Sequence, residues 1–135
     1  MDTKTNKDSR RIVDTTMWSR ENLAWAAAFI DGEGSITLEK DYKVGKVVGI
    51  SIVAYQKDPE LLYRLLDLFG GRVAGPNGSN VYYWRVRARD QVYAILCALY
   101  SWFSTNRKKE AEICFNAYKS PMPVSIKYLG EKYGR

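Results

Sequence analysis

The spacing of apolar residues changes rhythm several times along the chain. From residue 19 to 31, Leu23, Trp25, Ala26, Ala27, Phe29 and Ile30 follow a helical period. Ser19 suits an N-cap, Glu21 stands in the first turn where the helix dipole favours an anion, and Gly32 and Gly34 should stop the helix. Strict alternation follows from Ser35 to Glu39, with Ile36 and Leu38 on one side and Ser35, Thr37 and Glu39 on the other. Residues 41–45 read as a turn. Val47 to Tyr55 reads as a second strand, with Ile50, Ile52 and Ala54 on one face and Ser51, Val53 and Tyr55 on the other, so the two strands predict a hairpin.

The same sequence of patterns then recurs. Asp58-Pro59-Glu60 opens a helix with Pro at its first position, and Leu61, Leu62, Leu65, Leu66 and Phe69 form its apolar stripe up to Gly70-Gly71. Arg72 to Ala74 is a short strand, Gly75 to Gly78 a turn, and Val81 to Ala88 a further strand. In that strand Tyr83, Arg85 and Arg87 share one face, and Tyr82, Trp84 and Val86 the other. Asp90 is expected to cap a helix running to Trp102. Ser104-Thr105-Asn106 is expected to loop into a last helix from about Arg107 to Tyr118.

The predicted fold is therefore α+β, in which two successive αββ units form a four-stranded antiparallel sheet with the helices on one face. The other face stays open and carries Thr37, Glu39, Ser51, Tyr55, Tyr83, Arg85 and Arg87. A polar sheet face of this kind can enter a DNA major groove. Residues 1–18 read as a polar N-terminal arm, mobile or partly ordered, residues 19–119 as the folded domain, and residues 120–135 as a basic tail. Lys127, Lys132 and Arg135 in that tail serve to solvate it or touch phosphate.

Composition narrows the chemistry. The chain has 135 residues, the size of one domain, with 21 Lys and Arg against 15 Asp and Glu, a net charge of +6. That surplus suits a polyanionic partner, although a basic charge alone is a weak signal. No apolar run reaches bilayer length and no apolar segment follows Met1, so neither a membrane span nor a secretory signal is expected, and the protein is expected to be intracellular. Cys97 and Cys114 sit in apolar helical patterns and read as buried free thiols. With 0 His, Ser-His-Asp and Cys-His catalysis and standard zinc sites are excluded. Catalysis would have to rest on carboxylates, Lys, Arg, Tyr or Ser, and carboxylates favour Mg²⁺ or a similar hard ion.

The stretch Ala26-Ala27-Ala28-Phe29-Ile30-Asp31-Gly32-Glu33-Gly34-Ser35-Ile36 carries most of the information. Ala24, Ala27 and Ala28 leave little side chain on one helix face and permit another helix to approach closely. Asp31 lies at the helix C-terminus, where the macrodipole disfavours an anion, so something must compensate it, such as a hydrogen bond across an interface. Glu33 next to free backbone carbonyls is the kind of position a hard cation takes. The bland alternative for both acids is a polar helix-to-strand turn.

This stretch resembles the LAGLIDADG motif of homing endonucleases. Asp31-Gly32-Glu33-Gly34 stands at its acidic tail and Ala27-Ala28 on its small pair. The likeness extends from residue 19 to 118, taking in Tyr55-Gln56-Lys57-Asp58 after the second strand and Arg107-Lys108-Lys109-Glu110-Ala111 at the last helix. It implies an αββαββα fold with a saddle-shaped sheet. It also implies that Glu33 binds the catalytic metal, with the Gly32 carbonyl as second ligand, and that the cofactor is Mg²⁺ or another divalent cation such as Mn²⁺. Asp31 would be the structural acid of a helix pair, and Gln56 a polar residue near the attacking water. Arg107, or one of Lys108 and Lys109, would stand beside the scissile phosphate, although an exposed helix start explains those lysines nearly as well.

One copy of the motif implies a homodimer in which the helices around Ala24, Ala27, Ala28 and Asp31 pack about a two-fold axis. Its target would be a near-palindromic double-stranded DNA, cut to leave 3′ overhangs. The alternatives within the resemblance are an RNA maturase and a non-cleaving DNA-binding protein.

Overall fold

The structure, a computed structural model, describes residues 8–10, 15–41, 43 and 46–119. In chain order the elements are β1 (Asp8–Arg10), a short 3₁₀ turn at Thr15–Met17, α1 (Arg20–Glu33), β2 (Gly34–Asp41), β3 (Lys46–Gln56), α2 (Glu60–Phe69), β4 (Gly71–Ala74), β5 (Tyr82–Val86), α3 (Arg89–Leu99), a 3₁₀ turn at Tyr100–Trp102 and α4 (Thr105–Lys119). β2 to β5 are the expected strands. The sheet has a fifth, β1, supplied by the N-terminal arm, and the strand order is β1-β4-β5-β3-β2 with every pairing antiparallel. A stretch too polar to show an apolar rhythm can still be a strand, because β1 pairs through its backbone with the β4 edge. The expected turn at 41–45 lies largely outside the described residues.

Register sorts the sheet into two faces. Ile36, Ile52 and Val86 lie in one cross-strand row, and Ala54, Trp84 and Val73 in the next. These join Ala26, Ala27 and Ile30 of α1, Leu62, Leu65, Leu66 and Phe69 of α2, and Val92, Ile95, Leu96 and Leu99 of α3 in one core. The helices thus cover one face, as expected for an α+β layer. Leu68 is buried where the stripe had Leu61, which is 39% exposed. Trp25 and Phe29 are only partly buried and stack on each other at 5.4 Å, with the Arg64 guanidinium 3.8 Å over Trp25.

The C-terminus of α2 is tied down by side chains from several elements. Trp18 Nε1 donates to the Leu68 carbonyl, Gln91 Nε2 to that of Phe69, and Trp84 Nε1 to that of Gly70. A helix leaves its last carbonyls without intrahelical partners, so each of these bonds meets a need the helix cannot meet itself. Gly70 and Gly71 then reverse the chain with φ of 74° and 96°. A Cβ at Gly71 would lie 2.7 Å from the Arg85 carbonyl oxygen, so the turn needs glycine for space as well as for φ.

Several boundaries shift by local chemistry. Ser19 caps α1 by accepting from the Asn22 amide, as expected. α1 continues through Gly32 to Glu33, so Gly34 and not Gly32 ends it. A Cβ at Gly34 would sit 2.9 Å from the Val53 carbonyl, which explains glycine at the helix–strand corner. Asp90 is not the cap of α3; Ala88 holds that position, and the Asp90 carboxylate accepts from the Gln91 amide within the first turn. α4 starts at Thr105, which leaves a shorter loop than the polar run suggested.

The cysteines part company. Cys114 is buried at 2% exposure, and burial pushes its thiol up to about 11. Cys97 is exposed, contrary to the expectation, because its position on α3 faces away from the core that Ile95, Leu96 and Leu99 enter. Two measurements follow. A thiol reagent at neutral pH should modify Cys97 in the native protein and reach Cys114 only after denaturant is added. Trp84→Phe, which strands the buried Gly70 carbonyl, should lower the unfolding free energy by about 2–3 kcal/mol in denaturant titrations.

Candidate functional site

The site is built where α1 passes into β2. Asp31, on the last turn of α1, stands at the wrong end of its own helix for a negative charge. Its carboxylate accepts from the Ser104 backbone amide at 2.9 Å and from the Ser104 hydroxyl at 3.0 Å. Ser104 is the residue before α4, and its hydroxyl in turn accepts from the Arg107 amide at 3.4 Å. Asp31 therefore sits against the positive N-terminus of α4. The compensation it required is found within the chain rather than across an interface.

Arg107 completes an exchange. It lies in the first turn of α4, the wrong end of that helix for a cation. Its Nη2 donates to the carbonyls of Ile30 at 3.2 Å, Asp31 at 3.0 Å and Gly34 at 2.9 Å, which gather at the α1 C-terminus. Nη1 reaches Glu110 at 2.6 Å, and Nε stands 3.5 Å from Asp31 Oδ1 with no hydrogen bond of its own. The side chain is 13% exposed. Each helix end carries the charge that the other helix end wants.

This geometry changes the reading of the basic cluster. The Arg107 guanidinium is committed to backbone carbonyls and is not presented to a phosphate. Lys108 is half-buried, its ammonium 5.5 Å from the Tyr100 ring centroid, and Lys109 is exposed. Tyr100 is bonded through its hydroxyl to Glu112, which raises the pKa of that phenol.

Glu33 closes α1 and is exposed, and among the described residues no group hydrogen-bonds or ion-pairs with its carboxylate. Gly34 pairs with Ala54, so Glu33 stands one residue beyond, at the end of the sheet where Tyr55 and Gln56 leave β3. Gln56, half-buried, pairs with Tyr82. The carbonyls taken by Arg107 do not include that of Gly32, the expected second ligand.

An exposed carboxylate at the negative end of a helix suits a hard cation. Among the described residues no group of three or more His, Cys, Asp or Glu could hold an ion. At this corner the described residues offer the Glu33 carboxylate and neighbouring backbone carbonyls. That fits Mg²⁺, which keeps much of its water and takes substrate phosphates as ligands.

The open face of the sheet carries every residue expected there. Tyr55 and Tyr83 are directly opposite, rings 6.3 Å apart, and the Arg85 guanidinium lies 5.0 Å from the Tyr83 ring. Thr37 pairs with Ser51 and Glu39 with Gly49. Arg87 Nη2 donates to Glu39 Oε1 at 2.9 Å. Continued one residue past Ile52–Val86, the register sets Arg87 opposite Ser51, so this ion pair strides over β3 where Gly49 and Ser51 leave room. Ser51 is consequently 3% exposed, and a ligand cannot touch it while the pair stands above it. Arg72 was missed by sequence reasoning: it is exposed and lies on this face directly opposite Arg85. Strand parity alone assigns it there once Val73 is placed in the core.

On α1, Ala27 is 0% exposed within its own chain and so is not free for an interface. Asp31 is occupied by Ser104 and Arg107. Ala28 is exposed and Ala24 half-buried; with exposed Gly32 they form a row at four-residue spacing on the outer side of the helix.

Substituting Arg107 separates charge from shape. Lysine keeps the charge but cannot fork across several carbonyls. Arg107→Ala should cost about 2–4 kcal/mol in denaturant titrations. Arg107→Lys should recover less than half of that loss.

No family model matches the chain, and no curated protein matches it. Solved structures do. The homing endonuclease I-CvuI in complex with its target superposes with a TM-score of 0.61 at 20% identity, covering 84% of this chain and 80% of that one. The LAGLIDADG meganuclease I-AabMI bound to uncleaved DNA gives 0.60 at 20% identity, covering 72% of this chain and 36% of that one. I-CeuI, a group I intron-encoded homing endonuclease complexed with DNA, gives 0.58 at 21%, covering 76% and 56%. The chain thus spans most of I-CvuI and about a third of I-AabMI. The αββαββα order, the antiparallel sheet with helices on one face and these superpositions establish that the chain has the LAGLIDADG fold.

Proposed function

We propose that this chain is a LAGLIDADG homing endonuclease that binds double-stranded DNA as a homodimer and cleaves it with divalent metal at a near-palindromic site. The observation that carries the reading is Glu33. Its carboxylate is exposed and unpaired among the described residues, and it is held at the end of a sheet face bearing Tyr55, Tyr83, Arg85 and Arg72. The solved structures sharing the fold include homing endonucleases in complex with DNA, some in the presence of Mg²⁺ or Ca²⁺. Among the described residues no helix is long and apolar enough to cross a membrane.

Each residue then has a task. Glu33 and the Gly32 carbonyl hold the cation, whose chemistry is activation of water and stabilisation of the leaving oxygen. Gln56, at the same sheet end, orients the attacking water. Lys108 or Lys109 rather than Arg107 is the cation for the scissile phosphate, since Arg107 is spent on backbone carbonyls. A single carboxylate per chain is a sparse ligand set, and a second copy related by a two-fold axis would bring another. Ala24, Ala28 and Gly32 form the row along which two α1 helices can approach closely, with Gly32 replacing Ala27 in the interface. Such a dimer cuts both strands and leaves 3′ overhangs.

The test is cleavage of a duplex library by wild type and Glu33→Gln, in Mg²⁺ and in EDTA. Cutting at one near-palindromic site should appear only for wild type with metal. Binding without cutting by the wild type would favour a non-cleaving DNA-binding protein or an RNA maturase. In sedimentation, Ala28→Arg should convert the dimer to a folded monomer, because Ala28 is exposed within its own chain.

A further inference from the structure

Two arginines face each other on the open side of the sheet with no acid between them. Arg72 on β4 and Arg85 on β5 are direct cross-strand partners. The row they define runs on through Val53 and Ser35, and on the other side through Ser9, and contains no carboxylate. Arg87, on the same face, is neutralised by Glu39. Among the described residues no carboxylate pairs with Arg72 or Arg85, and the contact that Arg85 makes is with the Tyr83 ring.

Like charges directly opposite on one sheet face destabilise the pair. A sheet that neutralises Arg87 but leaves Arg72 and Arg85 side by side holds a local surplus of positive charge. We infer that Arg72 and Arg85 together form a binding site for one backbone phosphate of the DNA, a role that rests on the DNA-binding reading above. A phosphate is preferred to a base edge on charge grounds. An anion between two guanidinium groups removes their repulsion, whereas a guanine edge is neutral and leaves it in place. Arginine suits the task, since its planar fork matches phosphate oxygens and keeps its charge at any working pH. The pair contributes to affinity and register on the duplex and carries no sequence preference.

The inference makes stability and binding move in opposite directions. Arg72→Gln should raise Tm by about 1–3 °C by relieving the repulsion. It should weaken binding to duplex DNA by ~5–10-fold per chain at moderate salt and lower the slope of log K against log salt by less than about 0.9 per chain, since Arg85 still faces the same phosphate. Arg72→Lys, which retains the charge, should keep both the Tm and the slope near wild type. Binding is measured by fluorescence anisotropy over a salt series in Ca²⁺, with several duplexes of unrelated sequence as probes, and the loss should be equal on all of them. An unchanged salt slope would overturn the inference. So would a loss confined to certain sequences, which marks base readout, or a Tm that falls in Arg72→Gln while Arg72→Lys stays at the wild-type value. If the wild type binds none of the duplexes even at low salt, the DNA-binding reading itself fails and this site fails with it.

Discussion

The reciprocal contact between the C-terminus of α1 and the N-terminus of α4 is the joint on which the candidate site depends. Asp31 and Arg107 are each unfavourable on their own helix. Exchanged, Asp31 meets the Ser104 amide and hydroxyl, and Arg107 meets three carbonyls. The arrangement satisfies orphan backbone groups at both helix ends with the same pair of side chains. It also fixes the position of Gly32-Glu33, because Arg107 grips the carbonyls of Asp31 and Gly34 on either side of that dipeptide. Glu33 can therefore be exposed, and unpaired among the described residues, without being loosely placed. A catalytic carboxylate needs that combination of access and fixed position.

The sheet shows a similar division between what stabilises and what is left available. Its helix-covered face is filled by Trp84, Ile52 and Val86 against three helices, and its open face is organised by charge. The Glu39–Arg87 pair lies across β3 because Gly49 and Ser51 are small enough to pass under it. A short distance away, Arg72 and Arg85 lack such a partner among the described residues. The face thus has one end where charge is satisfied within the protein and one where it is presented outward. The latter arrangement costs stability and gains its return only when an anion arrives, which is how functional surfaces commonly depart from the folding optimum.

Much of this was legible from residue order. Period-2 alternation at Ser35–Glu39, Val47–Tyr55 and Val81–Ala88 sufficed for β2, β3 and β5, and the apolar periods of Leu23–Ile30 and of the leucines after Pro59 for α1 and α2, since core-facing positions must repeat at the period of their element. The same parity placed Tyr83, Arg85 and Arg87 on the open face. β1 was not legible, because a short polar edge strand is held by backbone hydrogen bonds and leaves no side-chain pattern. The exposure of Cys97 and Leu61 was also missed, because an apolar neighbourhood in sequence does not say which side of a helix turns inward.

Sequence by itself determined the αββαββ order, the place of Glu33 at a helix–strand corner, the absence of any histidine chemistry and the anomaly of Asp31 at the wrong helix end. These are local facts, set by spacing, residue type and helix polarity. Only the tertiary structure decided which group answers Asp31, that Arg107 serves the α1 carbonyls, that Ala27 belongs to the core and that Arg72 stands beside Arg85. Each of those depends on contacts between residues far apart in the chain. Their distances are set by how helices and strands pack, and spacing along the sequence does not encode them.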